Sequence, residues 1–183
     1  MFERFTSDAR AVVRGAVTRS ERTGGGTVGE AELLLALLDR TDSTAAAVLR
    51  DLGLAGRRES VADGLAAVRR RGGVSSADAE ALAALGIDVD GIVARVEREH
   101  GVGALAAGPA GRRGGGRRFG PEAKSVLARS LRIAVGRGDR QIGDEHLLLA
   151  LTARPGPAAA VLADHGVAHA DVVRVLGEVA GVR

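Results

Sequence analysis

Apolar residues recur every three or four positions along most of the chain, which is the spacing of an amphipathic helix. The first such stripe follows Thr6, a residue type that caps helix N-termini well, and comprises Ala9, Val12, Val13, Ala16 and Val17. Three more stripes follow before residue 72: Leu33, Leu34, Leu37 and Leu38; Val48, Leu49 and Leu52; and Val61, Leu65 and Val68. This pattern predicts four helices, the third ending at Gly53.

The same order of stripes returns in the last third of the chain. Residues 5–12 align with 119–126, residues 28–37 with 142–151 and, after a one-residue shift, residues 45–54 with 158–167. Three collinear matches indicate an internal repeat and not low complexity. We therefore predict an all-α fold with two pseudo-symmetric four-helix units, at residues 1–72 and 119–183. In the second unit Pro121 suits a first helical position, and Gly166 is the matching helix stop.

The region between the two units has its own helical pattern. Ser76 is a candidate cap for one helix, and Asp88 or Asp90 opens another, with apolar positions at Ala79, Leu82, Leu85, Ile92, Val93 and Val96. We predict an inserted helical hairpin at residues 73–100 and interpret the two aspartates as capping residues, not as a metal pair. Residues 101–118 are rich in Gly, Ala, Pro and Arg without periodicity, which predicts a flexible linker.

Composition narrows the class of protein. Hydrophobic residues make up 45% and aromatic residues 2%, so the core must consist of Leu, Val and Ala. There is no cysteine, which excludes disulfides and thiolate metal sites. No apolar run approaches the roughly 20 residues of a membrane span, and the N-terminus lacks the apolar segment of a signal peptide. We expect a cytoplasmic protein that does not bind membranes.

Candidate chemistry is sparse, so we predict no enzyme activity and no cofactor. Lys124 is the only lysine and lies in a predicted helix without the glycine-rich loop that cradles nucleotide phosphates. His165 and His169 have helical spacing, but a glycine stands between them, so we predict no metal site. We interpret His146 as a capping or simply exposed residue.

The arginine runs at residues 69–71, 112–113 and 117–118 could contact nucleic acid or an acidic protein. They lack interleaved aromatic residues and a reading helix. The net charge is only +3. We therefore expect these arginines to be solvated and expect no nucleic-acid partner.

Several segments resemble the Clp N-terminal repeat. They are residues 2–6 (FERFT), 29–38 (GEAELLLALL) and 143–149 (GDEHLLL), together with an Ala-Ala-x-Val-Leu-x-x-Leu-Gly-Val pattern that occurs with small variations in both units. The family pattern is a Phe-Thr start, a first helix, and then Gly-Thr-Glu-His followed by Leu-Leu. The likeness covers roughly residues 1–70 and 117–183 and is strongest to the ClpC-type domains of actinobacteria and Gram-positive bacteria. It implies a pseudo-twofold pair of four-helix units.

The resemblance also implies a function and a ligand surface. Such domains dock adaptor proteins and substrates, including chains bearing phosphoarginine, and some bind cyclic peptide antibiotics; they perform no chemistry. The implied peptide-binding positions lie near the starts of the two first helices: Phe2, Arg10, Val13, Phe119, Lys124 and Leu127. An alternative role for Phe2 and Phe119 is to pack over the helix starts as hydrophobic staples, and both roles can coexist.

Candidate phosphoarginine-binding residues are Thr6, Glu32 and Glu145. Glu145 retains the acidic position of the family motif, whereas the matching position of the first unit is Ala31. Glu32 is its neighbour, but adjacent helical positions point about 100° apart. Gly120 replaces the threonine that begins the second unit. One of the two symmetric sites is therefore expected to be impaired, and we do not expect full phosphoarginine recognition.

We predict a non-catalytic peptide- or adaptor-binding module of the Clp protease system that acts in protein quality control. It would modulate or protect a ClpC-type unfoldase by binding its substrates, its adaptors or cyclic peptide antibiotics. The alternative is a structural interaction protein that has lost the ligand site of the family and uses its inserted hairpin for another partner.

Overall fold

The computed structural model describes residues 2–23, 27–106 and 118–181, with side chains except those of Phe2, Arg118 and residues 179–181. The first unit begins with a 3-10 turn, Phe2–Arg4, and contains α1 Ser7–Arg22, β1 Thr27–Val28, α2 Glu30–Leu38, α3 Thr44–Asp51 and α4 Arg58–Arg70. The insertion contains α5 Ser76–Ala84 and α6 Val89–His100. The second unit contains β2 Arg118–Phe119, α7 Pro121–Arg137, α8 Asp144–Thr152, α9 Pro157–Asp164 and α10 His169–Gly181. The predicted all-α class is confirmed.

Helix ends follow local chemistry. The Thr6 hydroxyl accepts from the N–H of Ala9 at 3.2 Å, which caps α1. Pro121 is the first residue of α7, where its missing N–H costs nothing. Gly53 and Gly166 follow α3 and α9 with φ of +79° and +80°, a conformation that favours glycine. The sequence therefore specified these boundaries through single residues.

The two units exchange their leading segments. Phe5 forms a parallel bridge with Ile142, and Phe119 pairs in parallel with Val28. The repeat alignment relates these two pairings, because Phe5 corresponds to Phe119 and Val28 to Ile142. The N–H of Thr6 donates to the Ile142 carbonyl at 3.0 Å, and that of Gly120 donates to the Val28 carbonyl at 2.8 Å. Each unit thus begins against the other, which produces the pseudo-twofold arrangement.

One hydrophobic core joins the two units. Helix α4 packs on α9 of the other unit, and α10 packs on α3. The α4–α9 approach depends on Gly64, where an added Cβ would lie 2.9 Å from Cγ1 of Val161. Among the described residues, none between 69 and 118 belongs to this core. Neither four-helix unit therefore buries its apolar surface alone.

The inserted hairpin differs in two details from the expectation. Ser75, not Ser76, caps α5, since its hydroxyl accepts from the N–H of Asp78 at 3.0 Å. Residues 101–106 form turns, and the N–H of Gly103 donates to Glu97 at 2.9 Å, so this part of the predicted flexible linker is held in place. The rest of that predicted linker, residues 107–117, lies outside the described residues. Asp88 opens α6 as predicted, with its carboxylate accepting from the N–H of Gly91 at 2.9 Å.

Within the described ranges, no single helix is both long and apolar enough to cross a membrane; only the bent pair of α8 and α9 passes that test, on length and composition alone.

Candidate ligand site at the helix starts of the two repeats

The strand exchange makes each candidate ligand site composite. Thr6 hydrogen-bonds Ile142, three residues before Glu145, and Gly120 hydrogen-bonds Val28, three residues before Ala31. One site therefore combines Thr6 with Glu145, and the other combines Gly120 with Ala31. We call them the Thr6–Glu145 site and the Gly120–Ala31 site. The departures at Ala31 and Gly120 both fall in the second site, whereas the first has the family's Thr and Glu at these two positions.

The Glu145 side chain is 22% exposed and folds back over Gly143. Its carboxylate occupies the space that a side chain at Gly143 would need, so any larger residue there would displace the Glu145 carboxylate. Burial raises the pKa of Glu145, and nearby Asp144 adds to that rise, while the hydrogen bond from the backbone N–H of Glu145 opposes it. A half-buried carboxylate of this kind gains more from a cationic ligand than an exposed one does.

Glu32, the other predicted acidic residue, is engaged in holding its own helix. One carboxylate oxygen accepts from the N–H of Gly29 at 2.8 Å, and the other accepts from Arg69 at 3.2 Å. The side chain is buried. Glu32 thus closes the start of α2 as the N3 residue of a capping box, and its oxygens are not open to a ligand in this conformation.

His146 performs the same task at the start of α8. The N–H of Gly143 donates to Nδ1 of His146 at 2.9 Å, so Nδ1 must carry no proton. Nε2 then donates to Asp139 at 2.9 Å. The ring is completely buried. Of the two roles considered for His146, capping is the one that the geometry supports.

Sequence reasoning missed a pair of carboxylates that bind across the units. Asp144 accepts from the N–H of Ala45 in the first turn of α3, at 3.3 Å. Burial and nearby Glu122 raise the pKa of Glu30, although the backbone N–H of Ala158 in the first turn of α9 opposes that rise. Glu30 and Asp144 occupy equivalent repeat positions, and that alignment was the available signal. These bonds fix the helix starts on which the candidate sites are built.

The predicted peptide-binding residues divide into exposed and buried ones. Arg10 and Lys124 are exposed, and one guanidinium nitrogen of Arg10 donates to the Phe5 carbonyl at 2.8 Å. Phe119 is half-buried and packs against the core. Val13 and Leu127 are core residues, so neither presents its side chain to a ligand. The Phe2 side chain lies outside the described residues.

A groove of about 380 Å³ adjoins the Gly120–Ala31 site. Its lining includes Ala31, Leu65 and Arg69, together with Leu105 and Ala106 from the segment that follows the hairpin. The inserted region thus reaches the site that has lost its family residues.

The other charged residues singled out from the sequence have structural partners. Arg69, Arg70 and Arg71 pair with Glu32, Glu97 and Asp90, which leaves this run poorly suited to bind phosphates. His165 lies beside Ser60, and His169 lies beside Thr152. In the part of the chain that the structure describes, no three His, Cys, Asp or Glu side chains are grouped so that they could hold a metal ion.

The comparisons with known proteins all identify Clp proteins as similar to this chain. The family model described as Clp repeat (R) N-terminal domain matches residues 65–165 and 118–181. The chain is 32% identical over 183 residues to the chloroplastic chaperone protein ClpC1 of Arabidopsis thaliana and to that of Oryza sativa subsp. japonica, covering 97% of this chain and 16% of each relative. A ClpA homolog of Guillardia theta, named as an ATP-dependent Clp protease ATP-binding subunit, is 32% identical over 187 residues, covering 100% of this chain and 18% of the relative. The chain therefore spans less than a fifth of the length of these relatives.

Among solved structures, the N-terminal domain of the caseinolytic protease associated chaperone ClpD from Arabidopsis thaliana matches with a TM-score of 0.51. Sequence identity is 18%, and the match covers 96% of this chain and 99% of that one. At this identity the likeness shows a shared fold.

Proposed function

We propose that this chain, which belongs to the Clp repeat N-terminal domain family, is a non-catalytic module that binds peptides or adaptor proteins for a Clp protease system. It would modulate or protect a ClpC-type unfoldase by binding the substrates, adaptors or cyclic peptide antibiotics of that unfoldase. Similarity to Clp chaperone subunits supports this assignment. We also propose a cytoplasmic location. The plant relatives are named as chloroplastic and therefore do not support this part of the proposal.

The observation that supports the proposal is the pairing of the N-terminal segment with Ile142, which brings Thr6 to the unit that contains Glu145. The Thr6 oxygen accepts a hydrogen bond from Ala9, which leaves its O–H free to donate to an anionic oxygen. Glu145 offers a half-buried carboxylate that suits the N–H groups of a guanidinium. An acceptor for the cation and a donor for the anion fit a phosphorylated arginine. We therefore propose one phosphoarginine site per chain.

Isothermal titration calorimetry with free phosphoarginine tests this site. We expect one binding event per chain, with arginine binding at least tenfold more weakly because it lacks the phosphate. Glu145→Gln should weaken phosphoarginine binding by roughly tenfold or more, since it removes a charge-assisted pair of about 1.5–3 kcal/mol. Glu122→Gln, next to the Gly120–Ala31 site, is the matched control and should bind normally. Absence of binding, or equal loss in both variants, would refute the site.

The exposed residues Arg10 and Lys124, with half-buried Phe119, form the proposed peptide surface. A degradation assay with a ClpC-type unfoldase, its protease and an adaptor-delivered substrate tests the wider role. Excess chain should slow degradation, and Lys124→Ala with Phe119→Ala should relieve that inhibition. Unchanged degradation at every concentration of the chain would reject the role in the Clp system.

A further inference from the structure

The inserted hairpin is attached to the repeats by contacts of α5 with α9 and by two ion pairs of α6 with the end of α4. The Arg70 guanidinium binds Glu97 of α6, and that of Arg71 binds Asp90. The Arg70 pairing and the N–H of Gly103 lower the pKa of Glu97 to about 2. No described residue of the hairpin belongs to the shared core. The insertion is thus held in a defined place, although it adds no residue to the shared core.

Apolar side chains surround the turn of this hairpin. Leu85 is 77% exposed, Ile87 41% and Ile92 47%. Helix α5 has no buried residue. Between α5 and α6 lies a cleft of about 560 Å³ whose apolar lining consists of Ala79, Ala83, Ile87 and Val89. That volume falls within the roughly 300–1,000 Å³ of typical ligand clefts, and clustered exposed apolar residues mark interaction surfaces.

The cleft also carries a specific charge. Residues 76–100 contain six acidic residues and two arginines, giving a net charge of −4, whereas the whole chain is +3. Glu80, Asp88 and Asp90 line the cleft. Asp90 is paired with Arg71, and one Asp88 oxygen caps α6. The uncompensated charge therefore comes from Glu80 and the second Asp88 oxygen, and it repels nucleic acid and favours a basic partner.

We propose that the cleft between α5 and α6 docks a short amphipathic helix of a partner protein, with apolar side chains on one face and lysine or arginine beside them. The apolar face would cover Leu85 and Ile87, and the basic residues would lie against Glu80 and Asp88. Helix-in-groove binding of this kind depends on a few apolar anchors. This surface is separate from the Thr6–Glu145 site, and its occupation requires no ligand there.

Fluorescence anisotropy with the full chain tests the proposal, using two labelled 14-residue synthetic helices. One helix is built from Leu and Lys with an apolar face, and the other carries Glu in place of every Lys. We expect the Leu/Lys helix to bind and the Leu/Glu helix to bind at least tenfold more weakly. Leu85→Ser with Ile87→Ser should weaken Leu/Lys binding at least tenfold. Glu80→Gln should weaken it about threefold, with a smaller salt dependence.

Val135→Ser is the matched control, because Val135 is 61% exposed on α7, far along the chain from the hairpin. It should bind the Leu/Lys helix normally. Phosphoarginine titration of the same samples separates this proposal from the function above, because hairpin variants should leave that binding unchanged. Three results would overturn the proposal: equal binding of both helices, binding insensitive to the hairpin variants, or no binding of the Leu/Lys helix. Self-association that Leu85→Ser abolishes in sedimentation would assign the cleft to a second copy instead.

Discussion

The starts of α2 and α8 occupy equivalent places in the two repeats, yet they meet the same backbone requirement with different side chains. At α2 the N–H of Gly29 is capped by a glutamate, Glu32, and at α8 that of Gly143 is capped by a histidine, His146. In both repeats the acidic residue two positions before the cap, Glu30 or Asp144, lies against a helix start of the other repeat. Only the position between them, Ala31 or Glu145, has lost its equivalence. The capping role is therefore present in both repeats, whereas the proposed recognition residue is present in only one.

The two repeats also differ where their first two helices, α1 with α2 and α7 with α8, pack together. In the first repeat Gly15 brings α1 close to α2, with an added Cβ only 3.2 Å from that of Ala36. The matching residue of the second repeat is Arg129, which lines a cleft of about 120 Å³ between α7 and α8. The side chain of Arg129 is desolvated and lies near Arg154 and Arg132, so its pKa is lowered. At this position the second repeat therefore has an open cleft and a cation where the first repeat has a close helix contact.

The largest expected difference lies between the two caps. His146→Ala removes a fully buried ring and leaves the N–H of Gly143 without its partner, so we expect a loss of about 3 kcal/mol in the free energy of unfolding. Glu32→Ala should cost about 1.5 kcal/mol, because it removes a cap and a bond to a half-exposed arginine. Urea unfolding measures both. Equal losses would show that the caps are energetically equivalent.

The carboxylates that cross between the repeats should differ less. Asp144→Ala leaves the buried N–H of Ala45 without its acceptor, and we expect a loss of about 2 kcal/mol. Glu30→Ala should cost about 1 kcal/mol, because burial already disfavours its ionised form. Hydrogen exchange at the N–H groups of Ala45 and Ala158 locates each effect. Asp144→Asn keeps an acceptor and serves as the control; if it costs as much as Asp144→Ala, the hydrogen bond is not the cause.

Restoring the Gly120–Ala31 site should make the two halves equivalent in binding. Gly120 has φ of −62°, and an added Cβ would meet Glu122 at 3.2 Å and Thr27 at 3.3 Å, both flexible side-chain ends. Ala31→Glu with Gly120→Thr should therefore raise the phosphoarginine stoichiometry from one to two. At a ligand concentration of ten times Kd, the added site contributes about 1.4 kcal/mol of stability. A stoichiometry that stays at one would show that residues outside these two positions decide the loss.

The smallest effect concerns the charge of Glu145. Its folded-state pKa is raised, so its contribution to stability is full below the unfolded pKa of about 4.3 and is lost as pH rises through the folded pKa. Glu145→Gln should remove this dependence and stabilise the chain by about 0.5 kcal/mol at pH 7. Unfolding followed from pH 4 to 7 in both proteins measures it. A destabilised variant at pH 7 would show that the ionised carboxylate makes a favourable contact.

Much of the fold was predictable because its determinants are local. Helical periodicity located the helices, and Thr6, Pro121, Gly53 and Gly166 marked their ends through the backbone conformation or the cap that each supplies. The predicted cap of α5, Ser76, was wrong by one residue, because Ser75 and Ser76 have the same capping chemistry. The order of residues 101–106 was not predictable, since it depends on Glu97 and the α4 surface.

The candidate site shows where local information ends. The sequence by itself determined that two repeats are present and that Ala31 and Gly120 depart from the family pattern. Which of these positions lie in the same region of the molecule depends on which unit pairs with each leading segment. Only the tertiary structure decided this, because the Phe5–Ile142 and Val28–Phe119 pairings join residues far apart in the chain. The periodicity of a helix contains no information about which distant segment pairs beside it. The pairing of Phe5 with Ile142 is what brings Thr6 to the unit that contains Glu145.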